Sequence, residues 1–240
     1  MTSFSELLDS LQDYPRVKIV GSFEELVETP MRDGINALCW PRRLEGDFGE
    51  IVEKLAVGKG ITSIDEARLR ALDLSAEGCV AREILLQDQE LLRGRELQPS
   101  LDCIHGYLNE IEPELLRTDV QSWHVDSATV EADTYLCTYF GACSEGLRNE
   151  DAVRRVDVPE FRAELRTIYG EGDDEGFREF LHEHYLDLHY IPLRHAEPFS
   201  FGRGPLWRIA TEFPGSPVPP CVHRAPATLP GEPPRMLLIS

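Results

Sequence analysis

The chain has 240 residues, enough for one domain or a closely packed pair, and 43 acidic against 24 basic residues leave a net charge of −19. Such a surface repels phosphate backbones and anionic lipid, so neither a nucleic-acid nor a membrane partner is expected. A hydrophobic content of 42% with 28% charged residues suits a folded globule rather than a disordered chain.

In chain order, Ser3 with Glu6 makes a capping box ahead of Phe4, Leu7, Leu8 and Leu11, and predicts a first short amphipathic helix. Val17 to Val20 reads as a strand, and Ser22 with Glu25 opens a second helix carrying Phe23, Leu26 and Val27. Ile35 to Trp40 reads as another strand. Ser63 with Glu66 predicts a further helix start, and Ile84, Leu85, Leu91 and Leu92 place an apolar stripe on a helix near 77–93. From about Gln121 the texture becomes β: Trp123 to Asp126, Asp133 to Phe140, Leu206 to Ile209, Cys221 to His223 and Met236 to Ile239 are short extended runs. Between them, residues 149–189 read as an acidic helical insert in which Phe177, Phe180, Leu181, Tyr185 and Leu188 follow a 3.6 period. Eleven of the 17 prolines fall between Pro192 and Pro234, which confines long helices to the earlier part. The expected plan is α+β: residues 1–115 form a helix-rich layer packed on a β core of residues 116–240, a sandwich or barrel.

No run reaches the roughly 18 apolar residues of a transmembrane helix. Met1 to Glu6 lacks the basic start of a signal peptide, so a cytoplasmic protein is expected. Six widely spaced cysteines without a CxxC pair predict reduced, buried thiols.

The residues richest in chemistry are Trp123-His124-Val125-Asp126 and Cys221-Val222-His223-Arg224. On a strand, positions i and i+2 share a face, so His124 and Asp126 can hold one ion together. With His223 from a neighbouring strand they would form a two-histidine, one-carboxylate face with open positions, the usual arrangement of non-haem Fe(II) oxygenases. The bland alternative is a hydrogen-bonded pair at a strand end with His223 satisfying a loop carbonyl. Arg235 shares a face with Leu237 and Ile239 and could fork onto the far carboxylate of 2-oxoglutarate, or equally form a surface ion pair.

The segments INALCWPRRL (35–44), WHVDSATVEADTYLCTYFGACSEGL (123–147) and VHRAPATLPGEPPRMLLIS (222–240) resemble, in order, three blocks of the bacterial family catalogued as domain of unknown function 1826. Their arrangement is also similar to the wider cupin-like, double-stranded β-helix oxygenases. The resemblance implies a jelly-roll core, metal ligands at His124, Asp126 and His223, and a cosubstrate site at Arg235, Thr138 and Tyr139. Ala225 stands where that family usually has serine, the 149–189 insert has no counterpart, and Phe201 to Arg208 replaces a Lys-Gly element. An association of the family with zinc-homeostasis genes implies zinc as the alternative metal, in a non-catalytic protein closed by a fourth ligand such as Cys221 or His195.

Trp207, Arg208, Arg224 and His195 are candidates for a pocket holding a small anionic substrate beside the metal and O2, with Tyr139 as a further wall. Each also has an ordinary reading as a core aromatic, a paired arginine or a loop histidine. His182, His184 and His189 are adjacent in sequence, but a solvated or internally satisfied helix explains them better than a second metal site.

Overall fold

The computed structural model describes residues 11, 14–107, 116–170, 172–227 and 231–240. Apart from Leu11, the helix expected from Ser3 lies outside the described residues. The first half supplies β1 (Val17–Ile19), α1 (Phe23–Glu28), β2 (Ala37–Trp40), α2 (Phe48–Leu55), β3 (Gly60–Ser63), α3 (Glu66–Arg70), α4 (Ala76–Arg93) and β4 (Ser100–His105). Then come β5 (Asp133–Phe140), β6 (Glu145–Leu147), β7 (Ala152–Arg154), α5 (Pro159–Tyr169), α6 (Glu175–Glu183), β8 (Tyr190–Pro192), β9 (Phe199–Ser200), β10 (Leu206–Ala210), β11 (Val222–Arg224) and β12 (Arg235–Ile239).

Local chemistry explains most helix starts. Ser22 Oγ accepts from the Glu25 amide while Glu25 returns a carboxylate oxygen to the Gly21 amide, and Ser75 caps α4 through the Gly78 amide. Ser63 does not cap a helix: it ends β3 and donates its hydroxyl to Asp102, and Asp65 caps α3 through the Arg68 amide. In the insert, α6 stops at Glu183. Tyr185 takes a left-handed conformation (φ 56°) and is exposed, so the 3.6 period does not continue to Leu188, which lies in a 3₁₀ turn.

The main sheet has seven strands in the order β1-β2-β10-β5-β12-β4-β3, antiparallel except for β1 with β2. Strands from before and after residue 116 therefore interleave in one sheet. It is open, with β1 and β3 at its edges, which rules out the barrel form of the core. Its faces divide by strand parity. Leu38, Tyr135, Cys137, Tyr139, Leu206, Met236 and Leu238 pack in one buried cluster with Phe23, Leu26, Ile51, Leu55, Leu85 and Leu92 of the helices. Cys39, Leu136, Trp207, Ile209 and Leu237 face the opposite way and pack with Phe199, Phe201 and Cys221.

That second face is covered by β11-β6-β9, which continues beyond β11. His124 is bridged to His223 on one side and to His189 on the other, where β8 with β7 follows. Residues 123–125 thus lie as a short extended segment between β11 and the chain at 188–190, rather than as a full strand. Gly141 ends β5 at φ 82°, and a Cβ there would come within 2.7 Å of Arg235 Cα, so only glycine lets β12 begin against this turn. Among the described residues, no helix is long and apolar enough to cross a membrane.

Candidate metal centre

His124, Asp126 and His223 come together between the two sheets, each offering one ligand atom within 4.8 Å of the others. Two reciprocal backbone bonds of 2.9 Å between His124 and His223 set the register, and their rings lie 4.5 Å apart, centre to centre. Asp126 is held from another direction: its carbonyl accepts from the Glu212 amide beyond β10, and its Oδ2 accepts from the Thr134 hydroxyl at 2.5 Å.

The tautomers follow from the partners. His124 Nδ1 lies 2.8 Å from the Ser122 carbonyl and His223 Nδ1 3.2 Å from the Cys221 carbonyl, the carbonyl two residues upstream in each case. A carbonyl only accepts, so both Nδ1 atoms carry a proton and Nε2 is the nitrogen each ring leaves for a ligand. His124 Nε2 is 3.9 Å from Asp126 Oδ1 and His223 Nε2 is 3.7 Å from Oδ2. These separations exceed hydrogen-bond length, so the groups converge without using up one another's lone pairs. Bonds of about 2.1 Å to one ion would need the atoms to close to about 3 Å, a small movement. Burial, and next the adjacent His223, pull His124 down to about 4, so its imidazole is neutral at physiological pH. Burial pushes the Asp126 carboxyl up, but His223, the Thr134 hydroxyl and His124 outweigh it and leave it below its usual range, ionised. Two imidazole Nε2 atoms and a carboxylate are a donor set that first-row divalent metals accept.

Compared with protein-family profiles, curated proteins and solved structures, the chain matches none.

Arg235 is also on the inter-sheet face and buried. Nη2 donates to Ser144 Oγ at 2.9 Å, Nη1 reaches the Tyr107 hydroxyl at 3.4 Å, and Nε has no partner. Among the described residues no carboxylate pairs with it, in contrast to buried Arg42, which forks onto Asp88. Burial, partly offset by Tyr107 and Cys143, lowers its pKa. Thr138 is buried opposite Leu237 and shares this face.

Other expected residues are elsewhere. Tyr139 is on the helical face, where its hydroxyl donates to Asp88, because adjacent strand residues point to opposite sides. Arg208 is on that face too; it pairs with Asp133 and caps the end of α1 through the carbonyls of Leu26, Val27 and Thr29. Trp207 is 1% exposed, stacks on Phe201 and donates to its carbonyl, so it is core rather than an open wall. Arg224 points to the outer face of β11, onto Glu145 and the Trp123 ring. His195 is exposed and faces Asp151 at 3.1 Å. Neither His195 nor Cys221, whose thiol is buried in the apolar cluster, belongs to the group within 4.8 Å.

Ser122, Thr134, Tyr107, Ser144 and the role of His189 are not among the residues expected from the sequence. His182 and His184 are exposed and bond within the insert, to Asp187 and the Phe180 carbonyl. His189 instead follows the turn into β8 and joins the histidine row. The alternation Leu188, His189, Tyr190 after the helix was the available signal.

Proposed function

We propose that this protein is a mononuclear non-haem Fe(II) oxygenase, dependent on 2-oxoglutarate and acting on a small molecule, with a double-stranded β-helix core. The observation that carries the reading is the pair of imidazoles held through Nδ1–H by backbone carbonyls, with both Nε2 atoms turned toward one ionised carboxylate. The strand order supports the core: β10-β5-β12-β4 form one layer and 123–125, β11, β6 and β9 the other, as the eight strands of a jelly roll alternate. Resemblance in the three sequence blocks points the same way, since they span β2, the ligand pair with β5 and β6, and β11 with β12.

Iron bound here would supply the redox chemistry toward O2. The chain's own residues do the rest. His124, Asp126 and His223 would hold the ion from one side, Thr134 keeps Asp126 oriented, and the carbonyls of Ser122 and Cys221 keep both rings in their ligating tautomer. Arg235, held by Ser144 and Tyr107, would bind the cosubstrate's far carboxylate, with Thr138 and Leu237 on the same face as candidates for an apolar wall. Phe201, whose ring lies 6.5 Å from that of His223, helps exclude water from the inter-sheet side.

The test is anaerobic reconstitution with Fe(II), followed by oxygen uptake with and without 2-oxoglutarate. Uptake coupled to succinate formation and lost in His223→Ala is the expected result. No uptake, with zinc held more tightly than iron, overturns the oxygenase reading in favour of metal handling.

A further inference from the structure

His189 is a third histidine on the same face as His124 and His223, one chain further across, and it is 4% exposed. Its ring centre is 5.8 Å from that of His124, and it is not among the three groups whose ligand atoms converge. Besides His124, the charged groups near its ring are Arg155, whose amide donates to the His189 carbonyl at 2.8 Å, and Asp119.

Its partner explains the histidine. His189 Nδ1 is 2.8 Å from Ser122 Oγ. That hydroxyl donates to the Asp119 carbonyl at 2.6 Å, so its lone pair accepts and His189 Nδ1 is the donor. The Ser122 amide is held by Asp119 Oδ1 at 3.0 Å, and the Ser122 carbonyl is the acceptor that fixes His124. Ser122 is therefore tied at its amide, its hydroxyl and its carbonyl, and among the described residues His189 supplies the tie to the Ser122 side chain that comes from outside the 119–124 turn.

We propose that His189 is a positioning residue for the metal site: through Ser122 Oγ it holds the turn whose carbonyl keeps His124 in its ligating tautomer. The inference rests on the proposed metal site for its consequence, but its structural half is separable from metal. A histidine that only satisfied its own burial would affect stability and leave His124 unchanged.

The experiment uses the full chain and two readouts. The first is Co(II) and Zn(II) affinity by competition with a chromophoric chelator. His189→Ala and Ser122→Ala, the latter keeping the carbonyl, should each weaken binding about 10–100-fold. Their double variant should lose no more than either alone, and His189→Gln, whose amide can donate to Ser122 Oγ, should recover most of the loss. The second is long-range nitrogen–proton NMR of the metal-free protein, which reads the His124 tautomer directly. Wild type should show Nδ1–H alone and both single variants a mixture. Wild-type affinity and an unchanged tautomer in Ser122→Ala, the milder variant, would overturn the proposal, as would strictly additive losses. Tautomer mixing in the variants of a protein that binds neither metal would uphold the positioning role and refute the metal reading instead.

Discussion

Tyr139→Phe tests which face of the main sheet Tyr139 serves. The Tyr139 hydroxyl donates to Asp88 Oδ2 at 2.6 Å, and Asp88 receives the Arg42 fork at 2.6 and 2.7 Å, all on the helical face. The ring itself stacks on Phe48 at 5.4 Å and stays in place in the variant. The loss is then one hydrogen bond to a charged acceptor that keeps its arginine, about 1.5–3 kcal/mol, or a fall of about 3–12 °C in Tm for a chain of this size. Asp88→Ala is harsher because the Arg42 guanidinium stays buried without its carboxylate, at about 3–5 kcal/mol. Urea unfolding followed by fluorescence and circular dichroism measures both, alongside metal and 2-oxoglutarate affinity, which should not change in Tyr139→Phe. A variant with an unaltered urea midpoint and weakened 2-oxoglutarate binding would refute the strand-parity argument and return Tyr139 to the site.

The metal-free protein should lose stability as pH falls. Burial, then His223, draws His124 down to about 4, and burial, then Arg155, draws His189 down to about 3, whereas unfolded imidazole titrates near 6.5. Between about pH 6.5 and 4 the unfolded chain binds the extra protons, so each histidine contributes a slope of up to about 1.4 kcal/mol per pH unit. Urea midpoints at pH 7, 6 and 5 check this, with a shallower decline expected in His189→Ala; midpoints that do not move would contradict the burial of both rings. His124→Ala and His223→Ala should abolish stoichiometric metal binding by chelator competition, and full loading of either would dismantle the ligand set. Arg235→Ala should keep the metal and weaken 2-oxoglutarate at least tenfold by calorimetry, with Arg235→Lys failing to restore the forked contact; wild-type affinity would remove Arg235 from the site. Gly141→Ala should destabilise by more than about 1 kcal/mol, since a left-handed φ and a 2.7 Å approach to Arg235 oppose any Cβ, and an unchanged melt would show that β12 can shift.

Much of the candidate site was legible because its pieces are local. His124 and Asp126 are two apart on extended chain, and Arg235, Leu237 and Ile239 alternate on β12, so strand parity alone puts each set on one face. The same parity says that Thr138 and Tyr139 cannot both face one pocket. Only knowledge of which side of β5 is covered by helices chooses between them, and that lies in the packing of Phe48 and Asp88, 51 or more residues away. Arg208 and Trp207 divide in the same manner on β10.

By itself the sequence determined the short-range features: the cap at Ser22, the span of β5, the parity along its strands and the placing of His124 and Asp126 on one side of the chain. These depend on torsion preferences, hydrogen bonds a few residues long and the period of apolar side chains. Tertiary structure alone decided that β2 and β4 enter the same sheet as β5, β10 and β12, that His223 meets His124 in register, and that His189 leaves its helical neighbours to complete the row. Those outcomes come from long-range backbone pairing and from two sheets burying one apolar layer between them, in which a partner's identity is set by the whole chain and not by its neighbours in sequence.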